Sequence, residues 1–189
     1  QDLLLHLDGS VNETALIDVH TGTYNATIST GSPTNQTDLE HGNYVNINEG
    51  TGNWYALDTP LNTVLTNQQS FSCLIRPSNA NEAWQALWAN TNQTDISTRQ
   101  AFAVHQSGYF IEFQGTNSNL SNSLPAPQTG VWHVFSVIYD GVGGTCKIYH
   151  NTTLLDTIVS TGNLGFAGTN WHIGSYPHAP GYGFKGDLA

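Results

Sequence analysis

The chain is predicted to be all-β, with two antiparallel sheets packed face to face as a sandwich, and three features of the sequence predict it. From Trp132 to Tyr139 every residue except Ser136 is apolar, aromatic or histidine, and several are β-branched, so the run is expected to be a strand buried on both faces. Asp140, Gly141, Gly143 and Gly144 then supply the positive-φ positions that a reversal needs, and Thr145 to His150 is expected to pair back onto the first strand. Elsewhere about thirteen short strand-like segments recur at roughly ten-residue spacing with no credible long helix, as two packed antiparallel sheets require.

Taken in order, Leu3 to Leu7 is a short apolar strand ended by the turn signal Asp8-Gly9-Ser10. Residues 11 to 41 are looser, with Ala15 to Val19 and Tyr24 to Ser29 as edge strands between Gly, Pro and Asn clusters. Tyr44 to Asn48 alternates, and Asn53 to Leu57 follows a Gly-Thr-Gly reversal. Phe71, Cys73 and Ile75 share one face of the next strand, which Pro77 closes. Glu82 to Asn90 fits two periods: Trp84, Leu87 and Trp88 make a helical stripe, whereas Ala86 and Trp88 fit a strand. Ala101 to His105 and Tyr109 to Gln114 form a hairpin around Ser107-Gly108, and Thr116 to Gly130 is a polar loop broken by Pro125 and Pro127. Asn151 opens another turn before Leu154 to Val159.

Composition narrows the function. The 189 residues suit one sandwich spanning 1–189 and leave little room for a second domain. Only Arg76, Arg99, Lys147 and Lys185 are basic, and the net charge of −10 excludes nucleic acid and anionic membrane as expected partners. The longest apolar runs have strand length, so no membrane insertion by a helix is expected. Low charge with abundant Asn, Thr, Ser and Gly suits a secreted or surface-assembled β-protein. Because the chain starts at Gln1, a processing site or a longer polypeptide is expected to precede it. Asn-x-Ser/Thr sequons at Asn12, Asn25, Asn35, Asn92, Asn119 and Asn151 are turn residues that a glycosylating pathway could modify. Cys73 and Cys146 fall on expected core strands. Either they form one disulfide closing a long loop, or they are two small buried hydrophobes that never meet, and the sequence leaves both open.

The order of segments adds a resemblance. LLLHLDGS at Leu3 to Ser10, Gly42 to Ile47, SFSCLIRP at Ser70 to Pro77, the hairpin from Trp132 to Leu155, WHIGS at Trp171 to Ser175 and FKGDLA at Phe184 to Ala189 resemble, in register along the whole chain, the strands of laminin G-like, concanavalin A-like domains. That resemblance implies a jelly-roll sandwich, favours a strand over a helix at Glu82 to Asn90, and makes FKGDLA the lead into a further edge strand. The likeness is stronger to bacterial surface adhesins and phage tail or fibre modules than to animal laminin repeats, which implies an extracellular, cell-surface or virion-surface setting. It also implies one structural calcium ion, held by residues matching Asp8, Gly42 and Asp187, with the glycine giving a carbonyl and Asp187 a carboxylate; hard oxygens on a rim of turns suit that ion. Otherwise Asp8 caps a turn and Asp187 is surface charge.

Catalysis is not expected. Glycosidases that resemble laminarinases carry three alternating carboxylates on one strand, and the nearest look-alike here, Gly108 to Glu112, keeps only Glu112. A retaining mechanism needs a second carboxyl group about 5 Å away. No Gly-x-Ser-x-Gly elbow accompanies the histidines, and His133 and His172, each following a tryptophan on a strand, are read as structural. No Cys/His zinc spacing occurs. Sugar faces stack on aromatic rings while polar side chains take hydroxyls, so Trp54, Trp84, Tyr176, His178 and Tyr182 are the expected ligand-binding residues, with Tyr55 and Trp88 read as core. The leading expectation is a non-catalytic carbohydrate-binding or adhesion module whose partner is a glycan or cell-surface polysaccharide. The alternatives are a structural subunit that packs against copies of itself or neighbouring chains in a filament or virion, and a degenerate glycoside hydrolase.

Overall fold

The computed structural model describes residues 5–6, 15–18, 26–30, 33–38, 42–47, 54–57, 68–79, 85–92, 95–105, 108–113, 126–140, 142–159, 171–176 and 182–189. Its strands are β1 (Leu5–His6), β2 (Ala15–Asp18), β3 (Ala26–Thr30), β4 (Thr34–Asp38), β5 (Gly42–Ile47), β6 (Trp54–Leu57), β7 (Gln68–Pro77) and β8 (Gln85–Asn92). They continue with β9 (Asp95–His105), β10 (Gly108–Phe113), β11 (His133–Asp140), β12 (Thr145–His150), β13 (Thr153–Val159), β14 (Trp171–Ile173) and β15 (Gly186–Leu188). An eight-stranded sheet runs β1-β2-β3-β6-β14-β8-β9-β10, and a seven-stranded sheet runs β13-β12-β11-β7-β15-β5-β4. Every pairing between these strands is antiparallel. The fold class read from the sequence is therefore the one observed.

Burial explains the register. The facing sides of the sheets meet through Tyr55, Trp88, Phe102, Val104, Trp171 and Ile173 from one sheet and Val45, Ile75, Phe135, Val137, Tyr139, Ile148 and Leu188 from the other. Fully burying one such side chain is worth about 1.5–3 kcal/mol, so a one-residue slip that turned either set to solvent would cost more than the domain's whole stability margin. Each strand is thus locked in phase.

Two expectations change. The strand from Trp132 to Tyr139 is buried on one face only. His133, Phe135, Val137 and Tyr139 point into the core, whereas Val134 and Ile138 are 39% and 44% exposed on the outward face. An antiparallel sandwich needs a single packed face, so the apolar outward residues mark a surface and not a second core. The possible disulfide is absent: both cysteines are free. Cys73 on β7 pairs with Phe135 and Cys146 on β12 pairs with Tyr139, so β11 lies between them. Two strand spacings of about 4.8 Å and four residues of about 3.4 Å rise put them far beyond the roughly 7 Å that a bridge tolerates. The reading of two small buried hydrophobes is the one that holds.

In the hairpin that organises the seven-stranded sheet, Asp140 and Gly143 do not take the positive φ expected of them. Gly144 takes φ +71°, and Asp140 Oδ1 accepts a 2.8 Å hydrogen bond from the Gly143 N–H and a 3.0 Å bond from Gln68 Nε2. These bonds, that from Gly143 first, hold the Asp140 carboxyl below its usual range. At its other end Asn151 takes φ +54° while its Oδ1 accepts the Val134 N–H.

Candidate functional site

The two outward faces differ in kind. On the eight-stranded sheet, Tyr55, Trp88, Phe102 and Ile173 point inward, so alternation sends Trp54, Ala56, Ala89, Ala101, Ala103 and His172 outward. Register aligns them: His172 sits opposite Ala56 on β6 and Ala89 on β8, and Ala89 sits opposite Ala101 on β9. Ala86, Ala89, Ala101 and Ala103 form a separate apolar cluster with Tyr176. All four alanines are without exposed surface, so this part of the face is covered by the chain itself and is not an open surface.

Aromatic rings border the alanines. Trp54 stacks on His172 with centroids 5.5 Å apart and planes 17° from parallel. Tyr176 is buried, and Tyr182, which is 46% exposed, meets it edge-on at 6.5 Å. Gly174, at φ +86°, lets the chain leave β14 toward Tyr176, with its N–H bonded to the Leu87 carbonyl. Burial pushes the His172 imidazole down to about 4, so it is neutral at pH 7. The Trp54 Nε1 donor and His172 Nδ1 are both buried without a protein partner. Orphaned polar atoms on stacked rings suit water or a hydroxyl-bearing ligand.

Of the five expected ligand-binding residues, Tyr176 and the exposed Tyr182 are in ring contact, whereas Trp54 stacks on His172. Trp84 and His178 lie outside the described residues. Tyr55 and Trp88 are core, as expected. His172 was expected only as a structural residue, and its place beside Trp54 was missed. The alternation of Ala101 and Ala103 with Phe102 and Val104 was the available signal for this face. His133 is buried in the core side of β11, where its Nε2 donates to the Gln128 carbonyl and its Nδ1 accepts from His150 Nε2 at 2.8 Å.

Two of the three residues expected at calcium fall among the described residues. Asp8 lies outside them, and Gly42 begins β5 opposite Asp38. Asp187 Oδ2 accepts a 2.6 Å bond from Arg76 Nε, and its Oδ1 accepts a 2.5 Å bond from Asn46 Nδ2. A carboxylate already neutralised by a guanidinium does not fit a hard-cation ligand. Among the described residues no group of three or more His, Cys, Asp or Glu is placed to hold a metal. Glu112 pairs in register with Ala101, and Phe110 with Ala103, so its own strand offers no second carboxylate beside it.

A family model for concanavalin A-like lectin/glucanases matches residues 40–189. The chain belongs to the concanavalin A-like lectin/glucanase superfamily. No curated protein sequence matches it. Among solved structures, this superfamily member resembles domain 4 of a GH43 extracellular arabinanase from Geobacillus stearothermophilus, in complex with arabinotriose, with TM-score 0.71, 16% identity and coverage of 90% of this chain and 82% of that one. It also resembles a CBM40 of Ruminococcus gnavus IT-sialidase bound to α2,3-sialyllactose, with TM-score 0.56, 16% identity and coverage of 77% and 85%. A third neighbour is a type C botulinum neurotoxin whose cell entry depends on two ganglioside molecules, with TM-score 0.66, 14% identity and coverage of 98% of this chain and 45% of that one. At these identities the likeness is one of fold.

Proposed function

We propose that the chain is a non-catalytic carbohydrate-binding module that lays its ligand across the outward face of the eight-stranded sheet, over Trp54, His172 and Tyr182. The observation that carries this reading is the pair of ring contacts at the surface of that sheet, Trp54 stacked on His172 and the exposed Tyr182 edge-on to Tyr176. Aromatic rings of this kind take the C–H face of a sugar, and polar side chains beside them take its hydroxyls. Structures of the same fold, solved with arabinotriose and with sialyllactose, support the class of ligand. The arabinanase neighbour is described as extracellular, which supports a secreted, cell-surface or virion-surface setting for one module spanning 1–189. A structural calcium ion held by Asp8 and Gly42 is likewise a proposal, which Asp187 joins only by leaving Arg76.

A glycan array tests the reading. Saturable binding to at least one saccharide is expected, weakened at least tenfold in Trp54→Ala and in Tyr182→Ala while the fold is kept. Hydrolysis of a β-glucan abolished by Glu112→Gln would overturn the non-catalytic assignment. Exposed Val134, Ile138 and Leu154 on the other sheet favour, as a second reading, packing against copies of the chain. A silent array with concentration-dependent sedimentation would support that reading in its place.

A further inference from the structure

The outward face of the seven-stranded sheet holds a second built site. Val45, Ile47, Ile75 and Leu188 point inward, so Tyr44, Asn46, Arg76 and Asp187 point outward. Register sets Asn46 opposite Asp187 and Asp187 opposite Arg76, in one row across three neighbouring strands. Asp187 takes the Arg76 Nε–H at 2.6 Å and the Asn46 amide at 2.5 Å, which fixes the guanidinium from one side. Two rings fix it from others: Arg76 Cζ lies 5.0 Å from the Tyr44 centroid and 4.8 Å from that of Trp132, and the rings meet edge-on at 5.4 Å. The Arg76 side chain, with Asp187 and Tyr44 as side-chain partners, is still 28% exposed, and a guanidinium is the planar fork that grips a carboxylate.

We propose that Arg76, held by Asp187 between Tyr44 and Trp132, binds the carboxylate of an acidic sugar, a uronic acid residue of a polysaccharide. The three constraints fix the arginine rotamer during folding, so binding does not have to order it. Lysine would keep the charge and lose the planar fork. The aromatic pair beside it supplies the stacking surface that a sugar ring uses and a free inorganic anion does not. The chain carries net charge −10 and Asp187 cancels the local charge, so recognition comes from hydrogen-bond geometry and not from long-range attraction. Affinity for a single sugar is accordingly weak. This site is on the sheet opposite Trp54 and Tyr182, and each can fail without the other.

The test is a nuclear magnetic resonance titration of the full chain with glucuronate, its methyl ester and glucose, read at the Arg76 Nε–H and Trp132 indole N–H. Glucuronate is expected to give saturable shifts with Kd on the order of 1 mM, the methyl ester at least tenfold weaker shifts, and glucose none at these two groups. Arg76→Lys, which keeps a cation for Asp187, is expected to lose at least tenfold in affinity, and Trp132→Phe to lose less. Equal binding of acid and ester, undiminished binding by a folded Arg76→Lys, or no saturable shift up to about 50 mM would each overturn the proposal.

Discussion

His172 shows how one side chain joins stability to the binding face. It is held neutral to about pH 4 by burial, whereas in the unfolded chain it takes up a proton near 6.5. Between these values the unfolded state binds more protons, so folding stability falls as pH drops from 6.5 to 4 and is flat above 6.5. The loss from this residue is at most about 3 kcal/mol, and less because solvent reaches part of the ring. His150, also lowered, first by burial and then by His133, acts in the same sense. Urea denaturation of the parent and of His172→Phe across this range checks the prediction: phenylalanine keeps the ring on Trp54 and should flatten the slope, and an unchanged slope would refute it. The sequence showed His172 as a histidine after a tryptophan but not its titration, because burial and the Trp54 stack come from strands distant in the chain. Arg76 and Asp187 were likewise legible as charges and not as partners, since their register depends on β15 threading between β5 and β7.

At the scale of elements, glycines separate tolerable from intolerable positions. Gly186 takes φ +145°, and a Cβ there would lie 2.3 Å from the Arg76 carbonyl oxygen and 3.0 Å from the Pro77 Cα, both backbone atoms. Gly143 would meet only the Asp140 carboxylate, at 2.3 Å, and that side chain can turn away. Gly186→Ala is therefore expected to cost more than about 2 kcal/mol, and Gly143→Ala about 1 kcal/mol through the lost turn bond, measured by thermal unfolding; equal costs would contradict the argument. The cysteines give a second prediction. Burial pushes the Cys146 thiol up to about 12 and Cys73 up as well. Both should resist alkylation in the folded chain, react after denaturation, and leave Tm unchanged on addition of a reductant, whereas a reductant-sensitive Tm would restore the bridge. Strands with an apolar alternation were legible within a residue or two, as at Gly42–Ile47. Thr34–Asp38 was not, because an edge strand of Thr, Asn and Gln draws its order from pairing with β5 and carries no hydrophobic period of its own. The hairpin from Trp132 was legible as paired strands. Its outward face misled, since Val134 and Ile138 look like core in a sequence and lie at the surface in the fold.

For the whole molecule, alternation predicts two sheets but not which outward face works. The proposed choice rests on rings from β6 and from the chain after β14, since Ala86, Ala89, Ala101 and Ala103 line up across strands but are covered. That the strand from Gly108 to Phe113 carries a single carboxylate, Glu112, is readable in the sequence itself. The central claim is that saccharide lies against Trp54, His172 and Tyr182 on the eight-stranded sheet. It is tested most directly by mapping amide and indole shift changes while the chain is titrated with a neutral oligosaccharide found to bind on the array. The account predicts changes concentrated at the Trp54 indole, His172 and Tyr182; changes confined to β7, β11 and β12 would contradict it.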